Sequence, residues 1–232
     1  MPLITRPSAA RGHADHGWLE SYHSFSFAGY FDPAHTGFGV LRVINEDRVA
    51  GGAGFDTHDH RDMEIISYVL SGELAHRDSM GHGAVIRPSD VQVMSAGTGI
   101  RHSEFNNSAD AEVHFLQIWI TPSKMGVAPR YDQTQFDADA RRNRLCLIVS
   151  ADGRDGSLMI HQDAQIFASR LDEGRTVSHA IQGRRSWLQV INGSVEALGQ
   201  KLSRGDGAAI EREDVVALRA LQDSHILLFD LP

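Results

Sequence analysis

The sequence has a single cysteine among 232 residues, so the chain cannot form an intramolecular disulfide. Cys146 lies in the apolar run 145–149, where a buried core thiol is more typical than a nucleophile. Lysine is also scarce, since only Lys124 and Lys201 occur and arginine supplies nearly all of the positive charge. The net charge is -8 and no segment is rich in lysine or arginine, so we expect no direct binding to nucleic acid.

Long hydrophobic runs are missing as well. No apolar segment approaches the ~18 residues that a membrane-spanning helix needs, and no charged and then apolar leader opens the chain. We therefore expect a cytoplasmic protein without a membrane contact, and we expect it to be a monomer. Hydrophobic residues make up 41% of the chain, as in ordinary globular proteins, so the sequence gives no sign of disorder.

Short runs of strand-forming residues, separated by glycine, aspartate, asparagine or serine, predict an all-β fold. The runs occur at residues 39–44, 63–70, 84–87, 91–94, 113–121, 145–149, 165–171, 175–180, 186–191, 195–198, 215–218 and 225–230. Residues 122–144 are polar and contain two prolines, which favours a connector with at most a short helix. We predict two β domains, at residues 1–130 and 131–232.

Two pairs of side chains in the first half predict a metal centre. His58 and His60 are two residues apart, as are His102 and Glu104. Residues with this spacing on a strand share a face, so three imidazoles and one carboxylate could converge on one ion. A chain with 13 histidines yields about one such histidine pair by chance, but each pair here follows a glycine-rich turn.

The pattern around these pairs resembles the two cupin motifs. Gly52, His58, His60 and Glu64 match the first motif, and Gly99, His102 and Asn106 match the second. Further segments narrow the resemblance to the pirin family over about residues 20–122, with a weaker continuation to residue 163. These segments are 24–27, 38–47, 57–64, 76–79 and 95–104. Asp59 and Gly51 stand where the family often has proline, which affects the stiffness of the loop and removes no ligand.

This resemblance implies a bicupin, that is, two antiparallel β-barrels of the double-stranded β-helix type that face one another. It implies metal in the N-terminal barrel only, held by His58, His60, His102 and Glu104. In many other cupins the carboxylate comes from the first motif, which here would be Glu64. We favour Glu104, and Glu64 would then orient a ligating imidazole.

Nitrogen and oxygen donors of this kind suit one divalent transition metal. The resemblance favours Fe(II), and Zn, Ni, Cu, Co or Mn would also fit. It further implies a quercetin 2,3-dioxygenase, an oxidoreductase that cleaves a flavonol such as quercetin with O2 and releases carbon monoxide. Glu104, or Glu64 if it is not a ligand, would accept the proton of the flavonol hydroxyl. The alternative is a non-catalytic, iron-dependent regulatory protein that binds a protein partner.

The remaining histidines carry weaker expectations. His76 and His82 lie in a polar segment and are expected to be surface or hydrogen-bonding residues, whereas His114 is expected to be half-buried and hydrogen-bonded. The four histidines before the barrel pattern could cover its mouth, and six apolar residues are candidates for the pocket wall. They are His13, His16, His23 and His35, and Phe25, Phe27, Phe55, Met94, Phe115 and Trp119. The isolated histidines of the second half predict no second metal site.

Overall fold

The computed structural model describes residues 3–181 and 185–232. Within these ranges the chain forms strands and three short 3₁₀ turns, Ser8–Ala10, Asp139–Arg141 and Arg154–Gly156. The first twelve strands are β1 (Leu3–Arg6), β2 (Gly12–Asp15), β3 (Leu19–His23), β4 (Leu41–Val49), β5 (Gly54–His60), β6 (Glu64–Ser71), β7 (Leu74–Asp78), β8 (Gly83–Ile86), β9 (Asp90–Ser95), β10 (Ile100–Asn106), β11 (Val113–Ile120) and β12 (Arg130–Gln135). The others are β13 (Cys146–Ser150), β14 (Leu158–Met159), β15 (Gln165–Leu171), β16 (Thr176–Ala180), β17 (Arg185–Asn192), β18 (Ser194–Ala197), β19 (Gln200–Ser203), β20 (Gly207–Ile210), β21 (Val215–Ala220) and β22 (Ser224–Leu231).

The prediction of an all-β fold is thereby confirmed. The prediction that residues 122–144 form a connector is wrong for β12, which pairs with β9 along its whole length. Most of the side chains of β12 are half-buried and polar, so the strand lacks the apolar alternation by which a sequence reveals strands. Cys146 is half-buried rather than part of the core.

The chain divides into two compact units. The N-terminal unit comprises Gly12–Gln135 and Leu158–Gln162, and the C-terminal unit comprises Met1–Arg11, Phe136–Ser157 and Asp163–Pro232. This division differs from the predicted boundary between residues 130 and 131. It differs because β1 pairs with β20, far away in sequence, and because β12 belongs to the sheet that contains β9.

Two sheets form the N-terminal unit. One has seven strands in the order β12-β9-β6-β11-β4-β3-β2, and the other has four strands in the order β5-β10-β7-β8. By hydrogen bonding these are separate sheets rather than one closed barrel. Between them lie two distinct apolar clusters, one around Phe115 and Val69 and one around Ile65 and Met94.

A row of polar residues separates the two clusters. Across four neighbouring strands of the seven-stranded sheet, Ser67, Gln117, Asn45 and His23 are direct cross-strand neighbours. All four are buried. Because buried polar groups are costly unless they are hydrogen-bonded, such a row in a core indicates a functional constraint.

The C-terminal unit repeats this general plan. One of its sheets contains β1, β20, β17, β22, β15 and β13 in that order, and the other has the order β16-β21-β18-β19. Between its strands a set of buried apolar residues forms one continuous cluster, which includes Leu188, Val216, Leu218, Ile226 and Leu228. This unit therefore has a continuous apolar core where the N-terminal unit has a polar row.

Gly54 allows β5 to approach β10 closely. A Cβ atom at Gly54 would lie 2.5 Å from the backbone oxygen of Glu104. We expect Gly54→Ala to lower the free energy of unfolding by about 1–3 kcal/mol, because the backbone of β10 cannot move away without disturbing the pairing. Gly83→Ala is the matched control, since a Cβ there would meet no atom within 4 Å. Chemical denaturation measures both variants, and equal losses would contradict this account.

Candidate metal centre

The pairing of β5 with β10 brings the predicted ligands together. His58 lies opposite His102 and His60 lies opposite Ile100 in this antiparallel pair. A β-bulge between His102 and Glu104 shifts the register, so that Glu104 lies opposite Phe55.

Three imidazole rings form a compact cluster. Nε2 of His58 and Nε2 of His102 are 3.1 Å apart. The ring centroid of His60 lies 4.8 Å from that of His58 and 4.9 Å from that of His102. One nitrogen from each ring lies within 4.8 Å of the others, which is close enough for all three to bind one ion.

Hydrogen bonds set the orientation of two of these rings. Nδ1 of His58 is 2.7 Å from the backbone oxygen of Asp56, which can only accept, so Nδ1 carries the hydrogen and Nε2 keeps its lone pair. Nδ1 of His102 faces Nδ1 of His76 at 3.5 Å, and Nε2 of His76 is 3.3 Å from Asp78 Oδ2. If His76 donates to Asp78, it accepts from His102, and the Nε2 lone pair of His102 is also free for a cation.

The environment keeps His60 and His102 neutral. Burial, reinforced by the neighbouring His58, lowers the pKa of His60 to about 4. Burial and the surrounding histidines lower the pKa of His102 to about 2. Since only neutral imidazole binds a metal ion, the donor set fits a divalent transition metal.

Glu104 supplies a carboxylate next to the cluster. It accepts hydrogen bonds from Ser67 Oγ at 3.0 Å and from Gln117 Nε2 at 2.7 Å. Burial, with a smaller contribution from the charge of Asp47, raises the pKa of Glu104 to about 7. Glu104 forms a second group of potential ligands with His102 and His76. A cation at this position would compensate for the buried charge.

Glu64 lies in different surroundings. It accepts a hydrogen bond from Ser95 Oγ at 2.7 Å, and His161 and Arg130 act on it electrostatically. Burial raises its pKa. Glu64 belongs to neither group of potential ligands found among residues 3–181 and 185–232. The geometry therefore favours Glu104 over Glu64.

His76 also belongs to the site, a position that the sequence did not predict. His76 is not at the surface, since its exposed fraction is 1%, but it is hydrogen-bonded to Asp78, which is the other expectation for this residue. His76 lies opposite Glu104 on β7, and its ring stacks on that of Tyr131 with centroids 4.7 Å apart. The alternation of Leu74, His76 and Asp78 could have indicated an inward position. His82 has an exposed side chain, as expected, and His114 is buried and lies 3.0 Å from Glu46.

A cavity of about 480 Å³ opens beside the cluster. His58, His60 and Glu104 line it, and His102 lies behind His58. Of the residues proposed for its mouth and wall, His13, His16, His23, Phe27, Phe55 and Trp119 line it. His35 instead bonds to Asp32, and Phe25, Met94 and Phe115 are buried core residues. The volume is within the range of sites for small molecules.

The fold and this site define a class, a bicupin with a histidine-rich metal centre in its N-terminal unit. Comparison with known proteins narrows the class. The family profile Pirin matches residues 5–120, and the profile Quercetinase C-terminal cupin domain matches residues 147–231. The chain belongs to the pirin family.

Relatives align with the chain from end to end. It is 48% identical to "Quercetin 2,3-dioxygenase" of Escherichia coli strain K12 over 231 residues, which cover 99% of each chain. It is 40% identical over 227 residues to "Pirin-like protein" of Caulobacter vibrioides, with 97% of each chain covered. The prediction of an oxidoreductase is thereby confirmed at the level of the family.

A solved structure agrees with this assignment. The crystal structure of the bacterial pirin YhhW from Escherichia coli in complex with nickel(II) is 47% identical, with a TM-score of 0.95 and 99% of each chain covered. The predicted bicupin fold is thus confirmed. No helix among the described residues is long and apolar enough to cross a membrane.

The choice between the two carboxylates can be tested by metal affinity. We expect Glu104→Gln to raise the dissociation constant for Fe(II) or Ni(II) at least about tenfold, because it removes the carboxylate beside the histidine cluster. Glu64→Gln is the matched control and should stay within about twofold of the wild type. Anaerobic titration calorimetry measures both constants. If Glu64→Gln raises the dissociation constant more than Glu104→Gln does, the metal-binding carboxylate is that of Glu64.

The raised pKa of Glu104 predicts how the stability of the metal-free protein depends on pH. A carboxyl with a folded pKa of about 7 stabilises the fold fully below its ordinary pKa of 4.5, and this contribution is lost as the pH rises through 7. Relative to Glu104→Gln, the wild type should lose about 3 kcal/mol of unfolding free energy between pH 4.5 and pH 8. Denaturation in the presence of a chelator measures this, and a constant difference between the two proteins would refute it.

Proposed function

We propose that this chain is a metal-dependent dioxygenase that cleaves flavonols such as quercetin with O2. The observation that carries the proposal is the opening of the histidine cluster onto a cavity with aromatic walls. Phe27, Phe55 and Trp119 are suited to a flat aromatic substrate, and Trp119 also contacts His60 edge-on with ring centroids 4.9 Å apart. Full-length relatives named quercetin 2,3-dioxygenase support the same activity.

The proposed ligands are His58, His60, His102 and Glu104. They would hold one divalent transition metal and leave positions open on an octahedral ion. Fe(II) is favoured by the family resemblance. Nickel also merits attention, because a related protein is described in complex with it. Zn, Cu, Co and Mn are compatible with the same donors.

The metal, when bound, would lower the pKa of a coordinated flavonol hydroxyl and hold that group near O2. The side chains of the protein hold and orient the reacting groups. Glu104, held by hydrogen bonds from Ser67 and Gln117, would accept the proton of the hydroxyl. The aromatic walls would exclude water and orient the ring system. The flavonol and O2 yield a ring-opened ester and carbon monoxide.

The proposal includes no nucleic-acid contact, in line with the net charge of -8, and a monomeric state. Localisation in the cytoplasm remains part of the same proposal. The regulatory alternative, an iron-dependent protein that acts through a partner, is not favoured, because relatives at 48% identity are named for an enzymatic activity.

Turnover of quercetin tests the proposed function. We expect protein loaded with Fe(II) or Ni(II) to remove the flavonol absorbance in air and to release carbon monoxide, and to do neither without O2. His58→Ala should lower the rate at least about a hundredfold, since it removes one of the ligands. A solution of the free metal is the control. The proposal would be overturned if the flavonol absorbance is lost without O2, or if it is not lost with any of the metals.

A further inference from the structure

A second group of polar residues lines the cavity away from the histidine cluster. It consists of Ser21, His23, Asn45 and Asp47, and each residue is less than 5% exposed. Asn45 and Asp47 are two residues apart on β4, so both face the cavity, about 6.5–7 Å apart along the strand. We call this group the β4 polar patch.

Hydrogen bonds within the patch hold it in place. Ser21 Oγ donates a hydrogen bond to Asp47 Oδ1. Nδ1 of His23 lies 2.9 Å from Asn45 Oδ1, so His23 donates to Asn45. Each of the two β4 side chains therefore has one of its polar atoms engaged and fixed.

The other polar atom of each side chain is open. Within the described residues, Asp47 Oδ2 accepts no hydrogen bond and Asn45 Nδ2 donates none. Their neighbours in the cavity wall include the apolar rings of Phe27 and Phe55. Unused hydrogen-bonding capacity in a buried position is costly unless water or a ligand satisfies it.

The patch is not a second metal site. Neither of the two groups of potential metal ligands among the described residues includes Asp47 or His23. A fixed carboxyl acceptor next to a fixed amide donor instead complements a hydroxyl group, which both donates and accepts. On a flavonol, hydroxyl groups away from the reacting ring position have this chemistry.

We propose that Asn45 and Asp47 determine substrate specificity by binding a phenolic hydroxyl of the flavonol other than the one at the metal. The hydroxyl donates to Asp47 Oδ2 and accepts from Asn45 Nδ2, and the hydrogen bonds made by Ser21 and His23 keep both acceptor and donor in place. The inference rests on the proposed function for the identity of the substrate. It extends that function by assigning a preference for polyhydroxylated flavonols.

Two flavonols separate this site from the metal centre. Quercetin has four hydroxyl groups besides the 3-hydroxyl, whereas 3-hydroxyflavone has none. We expect Asp47→Leu and Asn45→Leu to lower the ratio of kcat/KM for quercetin to kcat/KM for 3-hydroxyflavone by about tenfold to a hundredfold. Asp47→Asn, which keeps a polar group, should lower it less.

Glu46→Leu is the matched control. Glu46 lies between the two patch residues on β4, points to the opposite face and pairs with His114 at 3.0 Å. The ratio of kcat/KM for quercetin to kcat/KM for 3-hydroxyflavone should be the same in Glu46→Leu as in the wild type. Circular dichroism and metal analysis of each variant verify folding and metal content. Unchanged ratios in both folded, metal-loaded patch variants would overturn the proposal.

Anaerobic binding to the wild-type protein provides a test that needs neither variants nor turnover. We expect metal-loaded protein to bind quercetin at least about tenfold more tightly than 3-hydroxyflavone. Equal dissociation constants would overturn the specificity site even if both compounds are turned over. Selective binding without oxygen-dependent turnover would instead overturn the dioxygenase function and leave the hydroxyl site in place.

Discussion

The antiparallel pairing of β5 with β10 is the constraint on which the metal centre depends. It places His58 opposite His102 and, with the bulge that follows, turns Glu104 towards Ser67 and Gln117. A shift of one residue would turn every one of these side chains to the other face. Apolar clusters on both sides of the polar row oppose such a shift, because it would expose them to water. The hydrophobic effect thus determines the register, and the register determines the site.

The centre is electrostatically unfavourable for a protein without a cation. Burial keeps His60 and His102 neutral by lowering their pKa values, and it raises the pKa of Glu104. A divalent cation would remove this conflict, since it binds neutral imidazole and favours the ionised carboxylate. Polar groups in a core usually reduce stability, and proteins retain them where function requires them. The row from Ser67 to His23 fits that pattern, because part of it holds Glu104 and part of it faces the cavity.

The sequence revealed the parts of the site that depend on local spacing. A separation of two residues along a strand is a local relation. The pair His58 and His60 and the pair His102 and Glu104 could therefore be predicted. Strand alternation could have indicated that His76 points inwards, but the approach of His76 and Asp47 to the site could not be predicted, because it depends on which strands pair across long stretches of chain. The same limit applies to β1, whose partner β20 is about 200 residues away. Strand β12 was missed for another reason, since its polar side chains hide its periodicity.

The two units show why a shared architecture does not imply a shared chemistry. Both consist of two antiparallel sheets, yet both groups of potential metal ligands among the described residues lie in the N-terminal unit. In the C-terminal unit one apolar cluster is continuous, and its histidines are used singly, as where His179 lies 2.8 Å from Asp230. Histidines alone would not create a second centre there. A polar row would also have to divide that apolar cluster, at a cost in stability that only a bound ligand or metal could offset.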